Sequence, residues 1–264
     1  MKNGNVIKAG DRSADGRPRA TVMGAGPLLV YVAGLDGSGE LLFKQAPALS
    51  RSFRVATFRL RERGRFTYDD LAGDVAEIIM RLGEQKAIVI GESFGGTVAL
   101  WFAIHHPEMV EQLVIVNSFP RFRARLRIKL AAAVTSSLPF KLVWPFRRLS
   151  SFIGLSLDKV SREDRKRCYR IFNGVAGEGY ARRLRLIEEF DCEERLCEIK
   201  APTLFIAAED DRLIPSAREA RLMASRIPNA AVRIIPGVGH ACLLGDRVRL
   251  ADIIGGRGSV VSGQ

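Results

Sequence analysis

The sequence predicts an α/β domain, with a mostly parallel central sheet, helices on both faces of the sheet and an inserted helical cap. Short runs of Val, Ile and Leu occur without alternating polar residues, which is typical of strands that are buried on both faces. Segments with the spacing of amphipathic helices alternate with these runs, as a parallel sheet requires. One long segment breaks the alternation and contains several helical stretches, which predicts the cap. A chain of 264 residues can bury a substantial core around such a sheet.

The predicted elements follow in chain order. Residues 1–20 form a loose tail with room for a short edge strand, and the core spans residues 21–117 and 201–254 around a cap at residues 118–200. Residues 255–264 are rich in Gly and Ser and form a flexible tail. Strands are predicted at residues 27–33, 53–58, 86–90, 113–116, 203–208 and 231–235. Helices are predicted at residues 68–82, 95–104 and 216–227.

The segment Gly91-Glu-Ser-Phe-Gly95 has the pattern G-x-S-x-G and lies between a predicted strand and a predicted helix. A strand-to-helix turn this sharp leaves no room for side chains around the serine, so Ser93 is exposed at the top of the sheet. This context predicts that Ser93 is a nucleophile, whereas the simpler alternative is a tight turn with a capping serine.

A serine nucleophile needs a base, and the base needs an acid to hold it in one tautomer. His240 follows the last predicted strand, so it lies at the same sheet edge as Ser93 and is the predicted base. His105 and His106 end the helix that begins at the serine, roughly 15 Å away by the rise per residue, and are predicted to be surface or capping residues. Candidates for the acid follow the strand at residues 203–208: Glu209, Asp210 and Asp211.

The oxyanion of a tetrahedral intermediate needs hydrogen-bond donors. One predicted donor is the backbone N–H of Phe94, which begins the helix after the nucleophile. The second is the N–H of Leu35, in the glycine-rich loop at residues 34–39 after the first central strand. The position after the strand at residues 113–116 is an alternative place for the acid, but it holds Asn117, which cannot supply a carboxylate.

These segments together resemble the α/β-hydrolase fold superfamily, and its serine esterase-like members in particular, over about residues 25 to 250. The family's acid motif is typically G-x-x-D-x-x-x-P, and Ala208 to Pro215 matches it with Ala at the first position, which selects Asp211. The family's oxyanion loop usually reads His-Gly. Here it reads Ala33-Gly34, so the histidine that often braces that loop is absent. Haloalkane dehalogenases and epoxide hydrolases of this fold carry Asp at the elbow, where this chain has Ser93.

The resemblance implies a catalytic triad of Ser93, Asp211 and His240, an oxyanion hole of Leu35 and Phe94, and elbow glycines at Gly91 and Gly95. It implies hydrolysis of a carboxylic ester or thioester with a hydrophobic acyl or alcohol portion, through an acyl-enzyme and without a cofactor or metal. The same triad would also serve an acyltransferase or a C–C bond hydrolase. An alternative of another class is a ligand-binding or receptor-like protein with little turnover.

The net charge of +12 is concentrated in the cap, because residues 118–157 carry eight basic residues and no acidic one. The simpler interpretation is a solvated cap surface over an apolar cleft. A peripheral contact of the basic cap with an anionic membrane is the sharper alternative. A nucleic-acid partner is disfavoured, because no nucleic-acid-binding motif accompanies the charge.

The four cysteines show no CxxC pair and no zinc spacing, so they are predicted to be reduced thiols. The N-terminus lacks the apolar region of a secretory signal, and no apolar run has the length of a membrane span. A cytoplasmic location is therefore expected. The sequence does not indicate an oligomeric state.

Overall fold

The computed structural model describes residues 17–123, 154–175 and 177–255. Within these residues seven strands form one sheet in the order β1-β3-β2-β4-β5-β6-β7. The strands are β1 (Ala20–Met23), β2 (Leu28–Val32), β3 (Arg54–Phe58), β4 (Ala87–Glu92), β5 (Val110–Val116), β6 (Thr203–Ala208) and β7 (Ala230–Ile235). The edge strand β1 is antiparallel to β3, and all other pairs in the sheet are parallel. The predicted fold class is confirmed.

Helices cover both faces of the sheet. They are α1 (Ala46–Leu49), α2 (Tyr68–Arg81), α3 (Phe94–His105), α4 (Arg162–Asn173), α5 (Gly177–Glu189), α6 (Ser216–Ala224) and α7 (Leu250–Gly255). Alternate residues of β2 enter two separate cores, because side chains alternate across a strand. Val30 and Val32 pack in the core that contains α2 and α3, and Leu29 and Tyr31 pack in the core that contains α1 and α7.

The predicted elements match the structure to within a few residues. The largest difference at the start of a strand is in β5, which begins at Val110 and not at Leu113. Glu111 and Gln112 interrupt the apolar run at the beginning of this strand, and they are more exposed than the residues that follow. The apolar run therefore marks only the buried part of β5. Helix α2 begins at a capping box, in which the Thr67 hydroxyl and the Asp70 carboxylate each accept a hydrogen bond from the other residue's backbone N–H.

The described part of the predicted cap contains α4 and α5 with a short 3-10 helix on either side, at Leu157–Lys159 and Glu193–Glu198. Residues 124–153, with six of the eight basic residues of the segment 118–157, lie outside the described residues, as do residues 1–16 and 256–264 of the predicted tails. The other two basic residues of that segment form ion pairs, Arg121 with Asp191 and Arg123 with Glu193. In the described ranges, no helix has the length and apolar character needed to cross a bilayer.

Candidate active site

Ser93 stands at a sharp turn between β4 and α3. Its backbone has φ 54° and ψ −118°, a region that residues other than glycine rarely adopt. The two elbow glycines permit the turn because a side chain at either position would meet backbone. A Cβ atom at Gly91 would lie 2.4 Å from the carbonyl oxygen of Gly95, and one at Gly95 would lie 2.0 Å from that of Val32. The local sequence therefore holds the Ser93 side chain at the sheet edge.

The structure brings Ser93, His240 and Asp211 into one hydrogen-bonded chain. The Nε2 atom of His240 lies 2.9 Å from the Oγ atom of Ser93, and its Nδ1 atom lies 2.7 Å from Oδ2 of Asp211. Both the imidazole and the carboxylate are buried, with exposed fractions of 4% and 1%. Asp211 also accepts hydrogen bonds from the backbone N–H groups of Leu213 at 2.9 Å and Ile214 at 3.1 Å, and from a nearby serine hydroxyl. The carboxylate is thus fixed from both sides.

The electrostatics of the pair favour the ionised carboxylate. Burial alone would raise the pKa of Asp211, but the His240 imidazole and the hydrogen bonds outweigh burial and lower it. Burial alone would lower the pKa of His240, but the effect of the Asp211 carboxylate outweighs that of burial and raises this pKa. An ionised carboxylate can only accept, so Nδ1 carries the proton. The Nε2 atom is then free to accept the proton of the Ser93 hydroxyl.

The other predicted candidates lie elsewhere. The Asp210 carboxylate is exposed and pairs with the Lys159 ammonium. The side chain of Glu209 is also exposed. His105 lies at the far end of α3, where its Nδ1 atom is 2.9 Å from the carbonyl oxygen of Trp101 and its Nε2 atom is 3.1 Å from the Arg195 guanidinium. Of the three predicted acids, Asp211 is the one whose carboxylate is hydrogen-bonded to His240.

The loop after β2 presents the second predicted oxyanion donor. Gly34 and Gly37 close a turn, in which the N–H of Gly37 donates to the carbonyl oxygen of Gly34 at 2.9 Å. The carbonyl of Gly34 and the N–H of Leu35 belong to one trans peptide and point in opposite directions. The Leu35 N–H therefore points away from Gly37. Gly34 and Leu35 line the same cavity as Ser93, and Phe94 begins α3, where the first N–H groups have no partner within the helix.

Asn117 is a site residue whose role the sequence did not reveal. Its Nδ2 atom donates to the carbonyl oxygen of His240 at 2.7 Å and contacts the sulfur of Cys242 at 3.3 Å. Its Oδ1 atom accepts from the N–H of Ala208 at 2.8 Å. Asn117 has a φ of 46° and is 1% exposed. The buried amide thus joins the ends of β5 and β6 to the loop that carries the histidine.

Glu92 is a second such residue, at the variable position before the nucleophile. Its carboxyl is buried and accepts a hydrogen bond from the hydroxyl of Tyr31. Burial raises the pKa of Glu92 to about 7, although the Tyr31 hydrogen bond and His240 act in the opposite direction. Glu92 lines the cavity above Ser93 together with His240.

The cavity above Ser93 has a volume of about 320 Å³ and is mainly apolar. Its core side includes Leu35 and Leu244, and its cap side includes Leu155, Phe172 and Leu184. The Cys168 thiol also lies in this wall, and burial raises its pKa to about 12, so it is an uncharged apolar contact. Within the described ranges, no cluster of three or more His, Cys, Asp and Glu side chains could hold a metal ion.

The cap is attached to the core beside the histidine. The backbone N–H of Ala241, the residue after His240, donates to the carbonyl oxygen of Leu155 at 3.0 Å. Leu155 itself lines the cavity. Leu155 is therefore fixed directly against the backbone beside His240.

Comparison with known proteins shows which family and fold the chain shares. One relative from Caulobacter sp. (strain K31), which carries the provisional name carbamate hydrolase RutD, is 31% identical over 233 residues, covering 80% of this chain and 83% of that protein. The fold is similar to an esterase from Exiguobacterium antarcticum, with a TM-score of 0.79 and 17% identity over 92% of this chain and 96% of that chain. It is also similar to a bromoperoxidase from Bacillus anthracis, with a TM-score of 0.74 and 21% identity over 85% and 89% of the two chains. At these identities, the two structures show a shared fold alone. The family profile described as alpha/beta hydrolase fold matches residues 27–246, which is most of the chain, and the protein belongs to that family.

Proposed function

We propose that the protein is a serine hydrolase that cleaves a carboxylic ester, or a thioester, with a hydrophobic acyl or alcohol portion. The observation that carries this proposal is the hydrogen-bonded chain from Ser93 through His240 to Asp211 at the base of an apolar cavity. A volume of about 320 Å³ lies at the lower end of the range for small-molecule sites.

In the first half-reaction, the Ser93 oxygen attacks the acyl carbonyl carbon while Nε2 of His240 accepts the hydroxyl proton. The carbonyl oxygen takes up negative charge and is stabilised by the N–H groups of Leu35 and Phe94. His240 then protonates the leaving alcohol or thiol as its bond to the acyl carbon breaks. Asp211 keeps the imidazole in the tautomer that this step requires and stabilises the imidazolium that forms.

In the second half-reaction, His240 accepts a proton from water as the water oxygen attacks the acyl-enzyme. The same two N–H groups stabilise the second tetrahedral intermediate. When it collapses, the proton on His240 returns to the Ser93 oxygen and the carboxylic acid is released. If an alcohol replaced water here, the same residues would carry out acyl transfer.

Carbamates are a second candidate substrate class, because of the printed name of the relative that is 31% identical. A carbamate offers the same carbonyl carbon to Ser93. The mostly apolar cavity favours the ester, since ten of its lining residues are Leu, Phe, Cys or Ala. Turnover of p-nitrophenyl butyrate and of the matching N-alkyl carbamate, measured side by side, would rank the two classes.

Labelling with a fluorophosphonate probe tests the nucleophile. The wild-type protein should be labelled, and Ser93→Ala should lose both the label and the hydrolysis of p-nitrophenyl butyrate. Ser225→Ala is the matched control, because Ser225 is exposed at the end of α6. Labelling of Ser93→Ala, or hydrolysis by it at the wild-type rate, would show that another group is the nucleophile.

A further inference from the structure

Arg183, on α5 of the cap, is fully buried, with 0% of its surface exposed. Its guanidinium donates hydrogen bonds to three backbone carbonyl oxygens: those of Leu35 at 3.0 Å, Arg61 at 3.0 Å and Asp36 at 3.3 Å. Two of these acceptors belong to the loop after β2, and the third belongs to the loop after β3. One side chain therefore joins the cap to two loops of the core.

Burial of this group is costly. A guanidinium removed from water loses hydration, and burial lowers the pKa of Arg183 to about 10, although nearby Asp36 and Glu62 act in the opposite direction. The group still carries its charge at neutral pH. An apolar side chain of similar volume could fill the same space without this cost, but it could not fix the direction of three carbonyl groups. The specific contribution of Arg183 is thus the orientation of the loops.

The loop is shaped to receive the guanidinium. Gly37 has a φ of +65°, and a Cβ atom built on it would lie 2.8 Å from Cζ of Arg183. The backbone at Gly37 therefore packs directly against the guanidinium. A larger residue at this position would strain the turn and push against Arg183 at the same time.

The hydrogen bond from Arg183 also fixes the orientation of the predicted oxyanion donor, the N–H of Leu35. The peptide before Leu35 is held by the turn between Gly34 and Gly37, and the peptide after Leu35 is held by Nε of Arg183. Both peptide planes of Leu35 are therefore fixed, which sets the direction of its N–H group. Ala33 stands where the resemblance would place a bracing histidine, and the Leu35 carbonyl is held from the cap instead.

We propose that Arg183 is a positioning residue for the oxyanion hole. Through this side chain, the cap determines how well the oxyanion hole stabilises the transition state. This inference rests on the proposed function, because it needs Ser93 and the Leu35 N–H in the roles given above. Helix α5 also lines the cavity with Tyr180 and Leu184. A substrate that contacts these side chains therefore touches the helix that holds the loop.

Substitution of Arg183 tests the proposal, with hydrolysis of p-nitrophenyl butyrate as the assay. Arg183→Met should lower kcat by roughly 10- to 100-fold and change KM by no more than about threefold, since a misplaced donor weakens mainly the transition state. Arg183→Lys keeps the charge and one donor nitrogen, so its kcat should be intermediate. Arg185→Met is the matched control, because Arg185 is exposed on the same helix, and it should match the wild type.

Gly37→Ala perturbs the same contact from the loop side. It keeps the Arg183 side chain but introduces a methyl group that would lie 2.8 Å from Cζ of the guanidinium and displace it, so it should reduce kcat in the same way. If Arg183→Met does not fold, Arg183→Lys and Gly37→Ala decide the question.

Binding of two ketones separates positioning from general structural support. An alkyl trifluoromethyl ketone adds to Ser93 and forms an oxyanion, whereas the matching methyl ketone binds without addition. In the Arg183 variants the affinity for the first should fall in parallel with kcat/KM, and the affinity for the second should stay at the wild-type value. Folded variants with unchanged kcat, or with equal losses for both ketones, would refute this inference alone. A wild-type protein that fails to react with fluorophosphonate would instead refute the proposed function on which it rests.

Discussion

Replacement of Asn117 by Ala should weaken both the fold and the active site. The substitution removes the amide and leaves two buried backbone groups without their partners: the carbonyl of His240 and the N–H of Ala208. Each unsatisfied group costs about 1–3 kcal/mol, so the loss of both partners should lower the free energy of unfolding by about 2–6 kcal/mol. At about 2–4 °C per kcal/mol for a chain of this size, the Tm should fall by roughly 10 °C.

The same substitution should impair turnover, because the Asn117 amide fixes the backbone of His240. A loosened imidazole no longer meets Ser93 in one geometry, and we expect kcat/KM for p-nitrophenyl butyrate to fall by roughly 10- to 100-fold. Asn117→Asp is the sharper variant. It keeps an acceptor for Ala208 but replaces the donor to His240 with a second acceptor.

Thermal unfolding followed by circular dichroism gives the Tm, and the kinetics are measured well below the Tm of each variant. Asn229→Ala is the matched control, since the side chain of Asn229 is exposed, and it should match the wild type in both measurements. Loss of stability with kcat/KM within twofold of wild type in both Asn117 variants would refute the link between this amide and the position of His240.

Three further predictions concern other parts of the molecule. Glu92→Gln should move the acidic limb of the kcat/KM profile to lower pH. His240 must be neutral to accept a proton, and the Glu92 carboxylate contributes to the raised pKa of His240. An unmoved limb, or one at higher pH, would contradict this account. Gly95→Ala should abolish the folded state or its activity, because the methyl group would lie 2.0 Å from the carbonyl oxygen of Val32. By contrast, Gly73→Ala should raise the free energy of unfolding by up to about 1 kcal/mol, since its position on α2 is open. Chemical denaturation measures the free energy of unfolding of both glycine variants. The interpretation of the basic cap as a membrane contact predicts co-sedimentation with phosphatidylglycerol vesicles at low salt, weakened by added salt. Failure to co-sediment at low salt would rule that contact out.

The sheet could be predicted from the sequence because strands buried on both faces leave an apolar run that needs no tertiary information. The elbow could be predicted for a similar reason. The constraint around Ser93 is local, and it selects glycine at two positions four residues apart. The position of His240 followed from topology, since parallel strands bring their carboxyl ends to one edge of the sheet.

The polar contacts between distant residues could not be predicted in this way. Arg183 is one of three arginines on α5, and composition alone does not indicate that this one is buried while Arg185 is exposed. Its contact with Leu35 spans 148 residues, and the contact between Tyr31 and Glu92 spans 61. Periodicity indicates which face of an element is apolar, but it does not identify the polar group that a side chain meets on another element. Asn117 illustrates the same limit, because its importance lies in two backbone partners and not in its own chemistry.

The two attachments of the cap have a consequence for redesign. Leu155 accepts a hydrogen bond from the backbone beside His240, and Arg183 donates one to the loop that carries Leu35. A cap transplanted from a relative would have to recreate both hydrogen bonds. Without them, the chimera would have a new pocket, but the loops that carry His240 and Leu35 would be displaced. Directed evolution toward other substrates should therefore retain the backbone of the cap and vary wall side chains such as Phe172 and Leu213, which face the cavity but hold neither attachment.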